Sequence, residues 1–371
     1  MIIGVPAEVK ISENKVPLVP SSVKSLVDAG NRVLIQKNAG IHANFQDSEY
    51  KNNGAEIVES AEEIYQKSDI ILKINQPQGA EHDLIQTNQI LIGMFDLLND
   101  KELTFDILSK KITAIDIKRI KTKNGIRPID NAISEITGKA LIRLASNISE
   151  KYNGGGLICS VTGLKPLQVT VVGSGAVGLS AAKTAAAIGC NVTVLDTDID
   201  KLQQIELLYH NQINTLFSNR GTIEDIIPQT DILICAVKSE DTEILIREND
   251  IKNMKKGSIV IDTGLASENT VVETMDRILS ADSPIYEKYG VLHYCFDDIT
   301  SLVANTLSSA ISEILANYLL IMTEYPDFSD VLKHCNDLTE SVLTYDGNIT
   351  EENLAEHYFL EKYELSMLTG F

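Results

Sequence analysis

Short apolar runs alternate with amphipathic stretches of roughly ten residues along the first third of the chain. The runs predicted as strands are MIIGV, RVLIQ, DIILKI, QILIGMF and ITAIDI, and helical patterns such as PSSVKSLVDAG, ESAEEIYQKS and ELTFDILSKK lie among them. Strands that alternate with helices of this length are typical of βαβ units. The pattern therefore predicts an α/β fold with a largely parallel sheet.

Two long helical patterns divide the chain. The first covers residues 128–152 and should stop at the glycine-rich segment 153–156, and the second lies near residues 302–323. Between them runs a second α/β pattern that contains QVTVVG, NVTVLD, DILICAV, GSIVID and GVLHYCF. We interpret the long helices as connections between two domains, one of residues 1–130 with 301–371 and one of residues 131–300. The tail beyond residue 345 is predicted to be helical.

Composition narrows the possible partners. A chain of 371 residues, 44% hydrophobic with a mean hydropathy of 0.00, is long enough for two globular domains. The net charge of −20 repels nucleic-acid phosphates and anionic membranes, so we expect neither as a partner. No apolar run approaches the roughly 20 residues of a membrane span. The composition leaves a small-molecule substrate or another protein as the partner.

Cysteine usage and the N-terminus predict a cytoplasmic protein. The N-terminal sequence MIIGVPAEVK has neither a basic region nor a small-residue cleavage site, so no signal peptide is expected. The cysteines are odd in number and widely scattered, which indicates reduced thiols: Cys159, Cys190, Cys235, Cys295 and Cys335. Because no cysteines and histidines share the spacing of metal ligands, we predict no metal site.

The strongest motif is a glycine fingerprint that follows a strand and opens a helix. Gly173, Gly175 and Gly178 have the G-x-G-x-x-G spacing after QVTVV, and a small-residue helical pattern follows them. The first glycine permits a tight turn, the second lets the backbone approach a pyrophosphate, and the third allows close helix packing. The next strand ends at Asp196, where an acid binds ribose hydroxyls and repels a 2′-phosphate. The alternative is a plain glycine-rich turn, but the ordered context favours NAD binding.

Other residues are assigned to the same cofactor surface. Asp198 and Lys201 either flank the adenosine or belong to a solvated helix start, and both interpretations stay open. The remaining candidates lie in the fingerprint or after the following strands: Ala176, Val177, Val237 and Leu265.

Several further motifs together identify a family. The N-terminal segment MIIGVPAEVKISENKVPLVP, DIILKINQP (69–77), SEITGKA (134–140), VVGSGAVG and SPIYEKYGVLHY (283–294) resemble alanine dehydrogenases and the NAD-binding component of proton-translocating transhydrogenases. This resemblance extends to about residue 325. It implies two Rossmann-like, doubly wound parallel-sheet domains separated by a cleft. By the same resemblance, residues 1–130 with 301–371 form the substrate domain, residues 131–300 bind NAD, and the protein is a dimer or hexamer.

On the substrate side, the family roles transfer only in part. Lys15 stands where the family has a carboxylate-binding arginine; it keeps the charge but loses the planar two-pronged geometry. Lys73 is retained, and the resemblance implies that it holds the carbonyl or carboxylate of a keto acid. Asp96 replaces the family's catalytic histidine.

On the cofactor side, the resemblance places Ser134 against the phosphates. The family's aspartate after GSIVID becomes Ala266, which leaves a roomier and less polar pocket. The family's asparagine at the nicotinamide becomes Asp298, and the adjoining Pro-Gly pair becomes Thr300 and Ser301.

Each polar candidate also has a structural interpretation. Lys73 could be a solvated strand end, and Lys15 a loop lysine. Asp96 could begin a surface turn at NDKEL, or it could face Lys73 across the cleft and handle a proton. The ammonium would lower the pKa of Asp96 and burial would raise it, so sequence alone leaves the direction open. A histidine in an apolar strand, such as His293, is more often a satisfied core residue than a catalyst.

The leading hypothesis is an NAD(H)-dependent oxidoreductase that acts on an amino acid, imine or 2-oxo acid. Because the positions of Asp96 and Ala266 differ from the family, alanine is not expected to be a good substrate, and a secondary amine of the opine or saccharopine kind would fit the added room. The second hypothesis is a catalytically degenerate NAD-binding protein with a regulatory or partner-binding role. A transhydrogenase component, which needs a docking partner, ranks last.

Overall fold

The computed structural model describes residues 1–10, 13–152, 156–237, 243–264, 270–275, 277–279, 283–295 and 299–370. The chain forms two compact units. Unit 1 consists of Met1–Ile133 and Val303–Phe371, and unit 2 consists of Ser134–Leu302. The domain limits predicted from the sequence, 130/131 and 300/301, lie a few residues from these.

Unit 1 contains an eight-stranded sheet with the order β15-β14-β6-β5-β4-β1-β2-β3. Its strands are β1 (Ile2–Val5), β2 (Arg32–Gln36), β3 (Glu56–Val58), β4 (Ile70–Asn75), β5 (Ile90–Met94), β6 (Thr113–Asp116), β14 (Val342–Tyr345) and β15 (Asn348–Ile349). Six strands are neighbours in the order β3, β2, β1, β4, β5 and β6, and all of them pair in parallel. β14 pairs antiparallel with β6 and with β15. The strand order reverses between β1 and β4, which defines a topological switch point.

The helices of this part of the chain are α1 (Pro20–Asp28), α2 (Asp47–Asn52), α3 (Ala61–Lys67), α4 (Glu81–Leu84), α5 (Lys101–Ser109), α11 (Ala304–Glu324), α12 (Phe328–His334), α13 (Glu352–Tyr358) and α14 (Leu365–Thr369). A further helix, α6 (Pro128–Tyr152), begins in unit 1 and continues into unit 2. The β4 strand is buried on both faces because helices cover the sheet, and even its Lys73 side chain is buried. The core includes Tyr65, Ile71, Leu91 and Ile107.

Unit 2 contains a seven-stranded sheet with the order β12-β13-β11-β10-β7-β8-β9. Its strands are β7 (Gln168–Val172), β8 (Asn191–Asp196), β9 (Ile213–Phe217), β10 (Ile232–Cys235), β11 (Ile259–Asp262), β12 (Ile285–Lys288) and β13 (Val291–Tyr294). Its other helices are α7 (Ala176–Ala187), α8 (Ile199–Leu208), α9 (Arg220–Ile226) and α10 (Glu248–Lys252). Only β12 among these strands pairs antiparallel, with β13.

The strand order of unit 2 is that of dinucleotide-binding domains, with the switch point between β7 and β10. The predicted α/β class with two doubly wound units is confirmed. Both sheets are mixed rather than purely parallel, because β12 and the pair β14–β15 run antiparallel to their neighbours.

The C-terminal tail differs from the prediction of a helix beyond residue 345. Asp346 and Gly347 both have positive φ, of 46° and 80°, and join β14 to β15 in a hairpin. An Asp-Gly pair between β-forming residues is a known hairpin signal, so the sequence contained this information. Helical structure begins only at Glu352.

The helix predicted near residues 302–323 is present as α11, but this stretch of the chain is more apolar than we expected from the sequence. By length and composition the stretch Ile299–Glu324 could span a membrane, contrary to the expectation that no apolar run is long enough. Half of its most apolar window is buried, and ten side chains of α11 are buried in unit 1. This burial is that of a core helix.

Candidate functional site

The glycine fingerprint lies at the switch point of unit 2, immediately after β7. Gly173 has a φ of +97°, which other residues rarely adopt, so the chain turns sharply there. A Cβ on Gly178 would overlap the Gly173 carbonyl oxygen, so only glycine lets α7 pack so closely on the strand. Gly175 is the N-cap of α7, whose first N–H groups have no acceptor within the helix. This cradle has the form that binds a pyrophosphate.

Asp196, at the end of β8, holds the fingerprint loop. Its Oδ2 accepts hydrogen bonds from both the backbone N and the Oγ of Ser174 at 2.6 Å, and its Oδ1 accepts one from the Asp198 backbone N at 2.9 Å. Burial raises the pKa of this carboxyl, but these hydrogen bonds outweigh burial and the pKa is lowered below its usual value. Asp196 is therefore an anion at neutral pH.

A pocket of about 280 Å³ opens between the ends of β7, β8 and β9. Gly173, Asp196, Ser218, Arg220 and Val237 are among the residues that line it. Its position beside the fingerprint and the anionic Asp196 fits the adenosine half of a dinucleotide. The residues present therefore fit such a cofactor.

The long helix α6 passes close to the fingerprint helix. A Cβ on Gly138 would overlap the Val177 carbonyl oxygen, and the Ser180 hydroxyl donates to the Glu135 carbonyl oxygen at 2.7 Å. Ser134 lies one helical turn before Gly138, so its place on α6 is beside the start of α7. This placement agrees with the predicted role of Ser134 near the phosphates, which stays a prediction.

Some of the other predicted cofactor residues lie at the starts of α7 and α8, and others lie outside the described residues. Lys201 forms an ion pair of 3.3 Å with Asp198, which caps α8, so the structure contains the solvated helix start of the alternative interpretation. Ala176 and Val177 form the first turn of α7. Leu265, Ala266 and Asp298 lie outside the described residues.

A cluster of buried charges lies at the switch point of unit 1. Lys73, in β4, is 2% exposed, and its Nζ donates to the two carboxylate oxygens of Glu81 at 2.8 and 3.1 Å. The Glu8 carboxylate is 3.6 Å from the same Nζ and accepts the Ile74 backbone N–H at 2.7 Å. Glu8 follows the end of β1, and its side chain thus binds the backbone of β4 beyond the point where β1 ends. Ligands of open α/β sheets bind at such a point.

The cluster continues to the second predicted lysine. The Asn75 amide donates to Glu13 at 2.8 Å, and Glu13 pairs with the Lys15 ammonium at 2.8 Å. Asn75 also reaches Glu8, at 3.4 Å, so hydrogen bonds and ion pairs connect the two lysines. The structure therefore brings Lys15 and Lys73 into one network.

Helix α11 positions the loop that carries Lys15. The hydroxyls of Ser308 and Ser312, both fully buried, accept the backbone N–H groups of Val16 and Val19 at 3.0 and 2.9 Å. These serines satisfy loop donors that would otherwise be buried without partners. A segment from the far end of the chain thus fixes the loop in place.

Asp96 is exposed and is not paired with Lys73, which agrees with the surface-turn interpretation and not with the facing pair. Its carboxylate accepts both hydrogen bonds of the Asn99 amide, at 3.0 and 3.1 Å, and its backbone N donates to Gln76. The Lys73 ammonium is paired instead with Glu81 and Glu8. Asp96 follows β5 at the carboxyl edge of the sheet, next to the end of β4.

Sequence reasoning missed Glu8, Glu13, Asn75 and Glu81, which surround the two lysines. The signal available for Glu13 was its place two residues before Lys15 in a loop after a strand. No comparable signal existed for Glu81, because its contact with Lys73 depends on the path of the chain between β4 and α4.

His293 has the contacts of a structural residue. His293 is fully buried, with Nε2 bonded to the Thr274 hydroxyl at 2.8 Å and Nδ1 to the Val291 carbonyl at 3.0 Å. The predicted core role of His293 agrees with this geometry. Among the residues whose positions are given, His, Cys, Asp and Glu side chains form no cluster able to hold a metal ion.

Glu8 makes a pH-dependent contribution to stability. Burial raises the pKa of its carboxyl above the usual value, against the lowering effects of the Lys73 ammonium and the Ile74 amide. The folded state therefore binds the proton more tightly than the unfolded state, and stability from this group falls as pH rises from the ordinary value of 4.5 through the raised pKa.

We expect Glu8→Gln to become progressively more stable relative to the wild type across that interval, as measured by urea midpoints at several pH values. The exposed residue Glu59, which pairs with Lys37, provides the control Glu59→Gln. A difference between Glu8→Gln and wild type that is constant with pH would contradict this expectation.

The fold and the fingerprint define a two-domain α/β protein of the dinucleotide-binding class. Sequence profiles of the alanine dehydrogenase/PNT family match residues 4–130 with the N-terminal domain and residues 140–352 with the C-terminal domain. The chain belongs to this family of NAD(P)-binding oxidoreductases of the alanine dehydrogenase type, as the resemblance predicted.

Individual relatives agree with this assignment. An alanine dehydrogenase of Methanococcus maripaludis is 34% identical over 364 residues, which cover 97% of each chain. The structure of an L-alanine dehydrogenase, 30% identical, superposes with a TM-score of 0.88 over 96% of this chain and 99% of that one. A transhydrogenase from Sinorhizobium meliloti shares the fold, with a TM-score of 0.78 at 20% identity over 95% of this chain and 100% of that one.

Proposed function

We propose that this protein is an NAD(H)-dependent dehydrogenase that acts on an amino acid, imine or 2-oxo acid with a carboxylate group. The observation that carries the proposal is the network of Lys73 and Lys15 at the unit 1 switch point. It occurs in a chain whose other unit keeps the whole glycine cradle. Burying charged side chains costs desolvation even when they are paired, so two buried lysines at the switch point favour a working substrate site over a degenerate one.

The proposed cofactor is NAD rather than NADP. Asp196 is anionic and lies at the end of β8, where a 2′-phosphate would be repelled and ribose hydroxyls would be bound. When bound, the nicotinamide supplies the site that accepts or donates a hydride. Ser134, Lys201, Val237, Leu265 and Asp298 remain proposed cofactor contacts.

Lys15 and Lys73 would bind the substrate carboxylate or carbonyl. Their ammonium groups are held by Glu13, and by Glu81 and Glu8, so their positions are fixed before substrate arrives. Oxidation of a protonated amine to an iminium, with the hydride passing to NAD⁺, releases one proton, and water then hydrolyses the iminium to the 2-oxo acid and ammonium. That proton must leave the site. Asp96, exposed at the end of β5, would pass a proton to water or accept one from it.

The proposed substrate is not alanine itself. The family's catalytic histidine and the aspartate after β11 are replaced by Asp96 and Ala266, so the chemistry next to the reacting carbon differs. A secondary amine, as in opine- or saccharopine-type products, is a candidate because alanine has a smaller side chain than the family's aspartate.

The proposal is tested first by measuring cofactor binding and then by measuring turnover. NADH fluorescence is titrated with the protein, and pooled 2-oxo acids are then offered with ammonia or with amino acids while NADH loss is followed. We expect saturable NADH binding and turnover in at least one pool, with alanine and pyruvate among the poor substrates. Tight NADH binding without turnover in any pool would instead support a catalytically degenerate NAD-binding protein.

Asp96→Asn tests the proton-handling role. We expect kcat to fall by about 100-fold or more, with an unchanged melting temperature because the side chain is exposed. The matched control is Asn99→Ala, which removes the partner of Asp96 but keeps the carboxylate, and should retain most activity. Equal rates for Asp96→Asn and wild type would return Asp96 to the role of a surface turn.

We further propose that the protein forms a homo-oligomer, a dimer or a hexamer, and acts in the cytoplasm. Light scattering coupled to gel filtration measures the oligomeric state. A monomer at micromolar concentration would contradict the proposed homo-oligomer.

A further inference from the structure

An arginine lies on the wall of the proposed adenosine pocket. Arg220 begins α9, three residues after Phe217, which pairs with Asp196 across β8 and β9. The backbone of Ser218 also donates to the Asp196 carbonyl oxygen at 2.8 Å. Arg220 and Asp196 therefore line the same pocket. An arginine in this region is the usual means of accommodating a 2′-phosphate in NADP-binding proteins.

The guanidinium of Arg220 is already occupied by the protein. Its Nη1 and Nη2 form a two-pronged pair with the Asp250 carboxylate, with Nη1 at 2.8 Å, and Nη1 also reaches the Leu245 carbonyl oxygen at 3.3 Å. Its Nε donates to Glu224 at 2.7 Å. Four of the five N–H groups of an arginine thus have protein acceptors.

Asp250 cannot follow the arginine into the pocket. It is 2% exposed, and its Oδ2 also accepts the Arg247 backbone N–H at 2.8 Å at the start of α10. A planar, bidentate carboxylate pair is also the strongest ion pair an arginine makes. The buried acid therefore holds the guanidinium in a fixed orientation, with its charge neutralised.

We propose that Asp250 is a second determinant of cofactor selectivity, which keeps Arg220 from binding a 2′-phosphate. Asp196 repels the phosphate, and Asp250 withholds the Arg220 guanidinium from it. The inference rests on the proposed binding of NAD(H). It means that removal of the Asp196 charge alone leaves Arg220 still bound to Asp250.

The test compares dissociation constants for NADH and NADPH, from the fluorescence of each reduced cofactor titrated with the full chain. Asp196→Asn should weaken NADH binding and leave NADPH weak. Asp196→Asn combined with Asp250→Asn should raise the ratio of NADPH to NADH affinity by at least about tenfold over Asp196→Asn alone. Adding Arg220→Ala to that double variant should remove the gain.

Glu224→Gln in the Asp196→Asn background is the matched control. It removes the other acidic partner of Arg220 but leaves the pair with Asp250, so we expect no gain in NADPH affinity. A gain equal to that of Asp250→Asn would overturn the proposal, because general loss of negative charge would explain it. Equal ratios with and without Asp250→Asn would overturn it too, as would a gain that survives Arg220→Ala.

A second variant tests the same proposal if Asp250→Asn fails to fold. Arg220→Lys keeps Asp250 and its bond to the Arg247 backbone, but a lysine cannot form the two-pronged pair. Combined with Asp196→Asn, it should also raise the NADPH ratio, and the absence of a rise would count against the proposal. If the wild type binds neither cofactor, the proposed function itself fails, which is a different outcome.

Discussion

Replacing Lys73 by methionine is expected to lower the free energy of unfolding by about 3–5 kcal/mol and to abolish turnover. The substitution keeps the volume of the stem but leaves Glu8 and Glu81 without their ammonium, and both carboxylates are 5% exposed or less. A buried charge that has lost its partner keeps its desolvation cost. Urea unfolding followed by circular dichroism measures the first effect, and NADH loss with the best substrate measures the second.

Two further variants separate stability from activity. Lys73→Met combined with Glu81→Gln removes one of the uncompensated charges and should recover part of the stability without recovering turnover. Lys37→Met breaks an exposed pair with Glu59 at 2.9 Å and should cost less than about 1 kcal/mol. A Lys73→Met protein that unfolds with the wild type and turns over substrate would refute both the network and the site.

Replacing Gly175 by alanine is expected to leave the fold intact and to weaken NADH binding by about 10–100-fold, or roughly 1.4–2.8 kcal/mol. Gly175 has a φ of −61°, which alanine adopts, and no described heavy atom lies within 4 Å of a Cβ built there. The methyl group would stand where the backbone must approach the pyrophosphate. Thermal melting and a fluorescence titration with NADH give the two readouts.

Gly178→Ala is the contrasting variant. Its Cβ would overlap the Gly173 carbonyl oxygen, so we expect a loss of thermal stability even without cofactor. If Gly175→Ala bound NADH as tightly as the wild type, the fingerprint would not be the pyrophosphate site. If Gly178→Ala melted with the wild type, the close packing of α7 would not be required.

Local sequence patterns were enough to predict most of the fold. The α6 helix was predicted over 128–152 and is observed as Pro128–Tyr152, because its periodicity, proline start and glycine-rich stop lie within one segment. The strands of the two switch points were found because each is a short run rich in apolar residues. The hairpin of β14 and β15 was missed although its Asp-Gly turn was visible, which was an error of interpretation and not a lack of signal.

The dinucleotide cradle was accessible from sequence because its parts are close together along the chain. The partners of Lys73 were not, because Glu8 reaches β4 from the segment after β1 and the contact of Glu81 depends on the path of the loop between β4 and α4. One of the two interpretations of Asp96 had it face Lys73, while the structure pairs Lys73 with two glutamates and leaves Asp96 exposed.

The sequence by itself determined the α/β class, the glycine turn, the acid at the end of β8 and the family. Each of these depends on residues within one strand–turn–helix unit, where backbone geometry and spacing are enough. Only the tertiary structure decided which charges neutralise Lys73 and Lys15, and that Arg220 is held by Asp250. Glu8 and Asp250 come from segments that are distant in sequence from Lys73 and Arg220, and no local pattern encodes the distance between such segments in the folded chain.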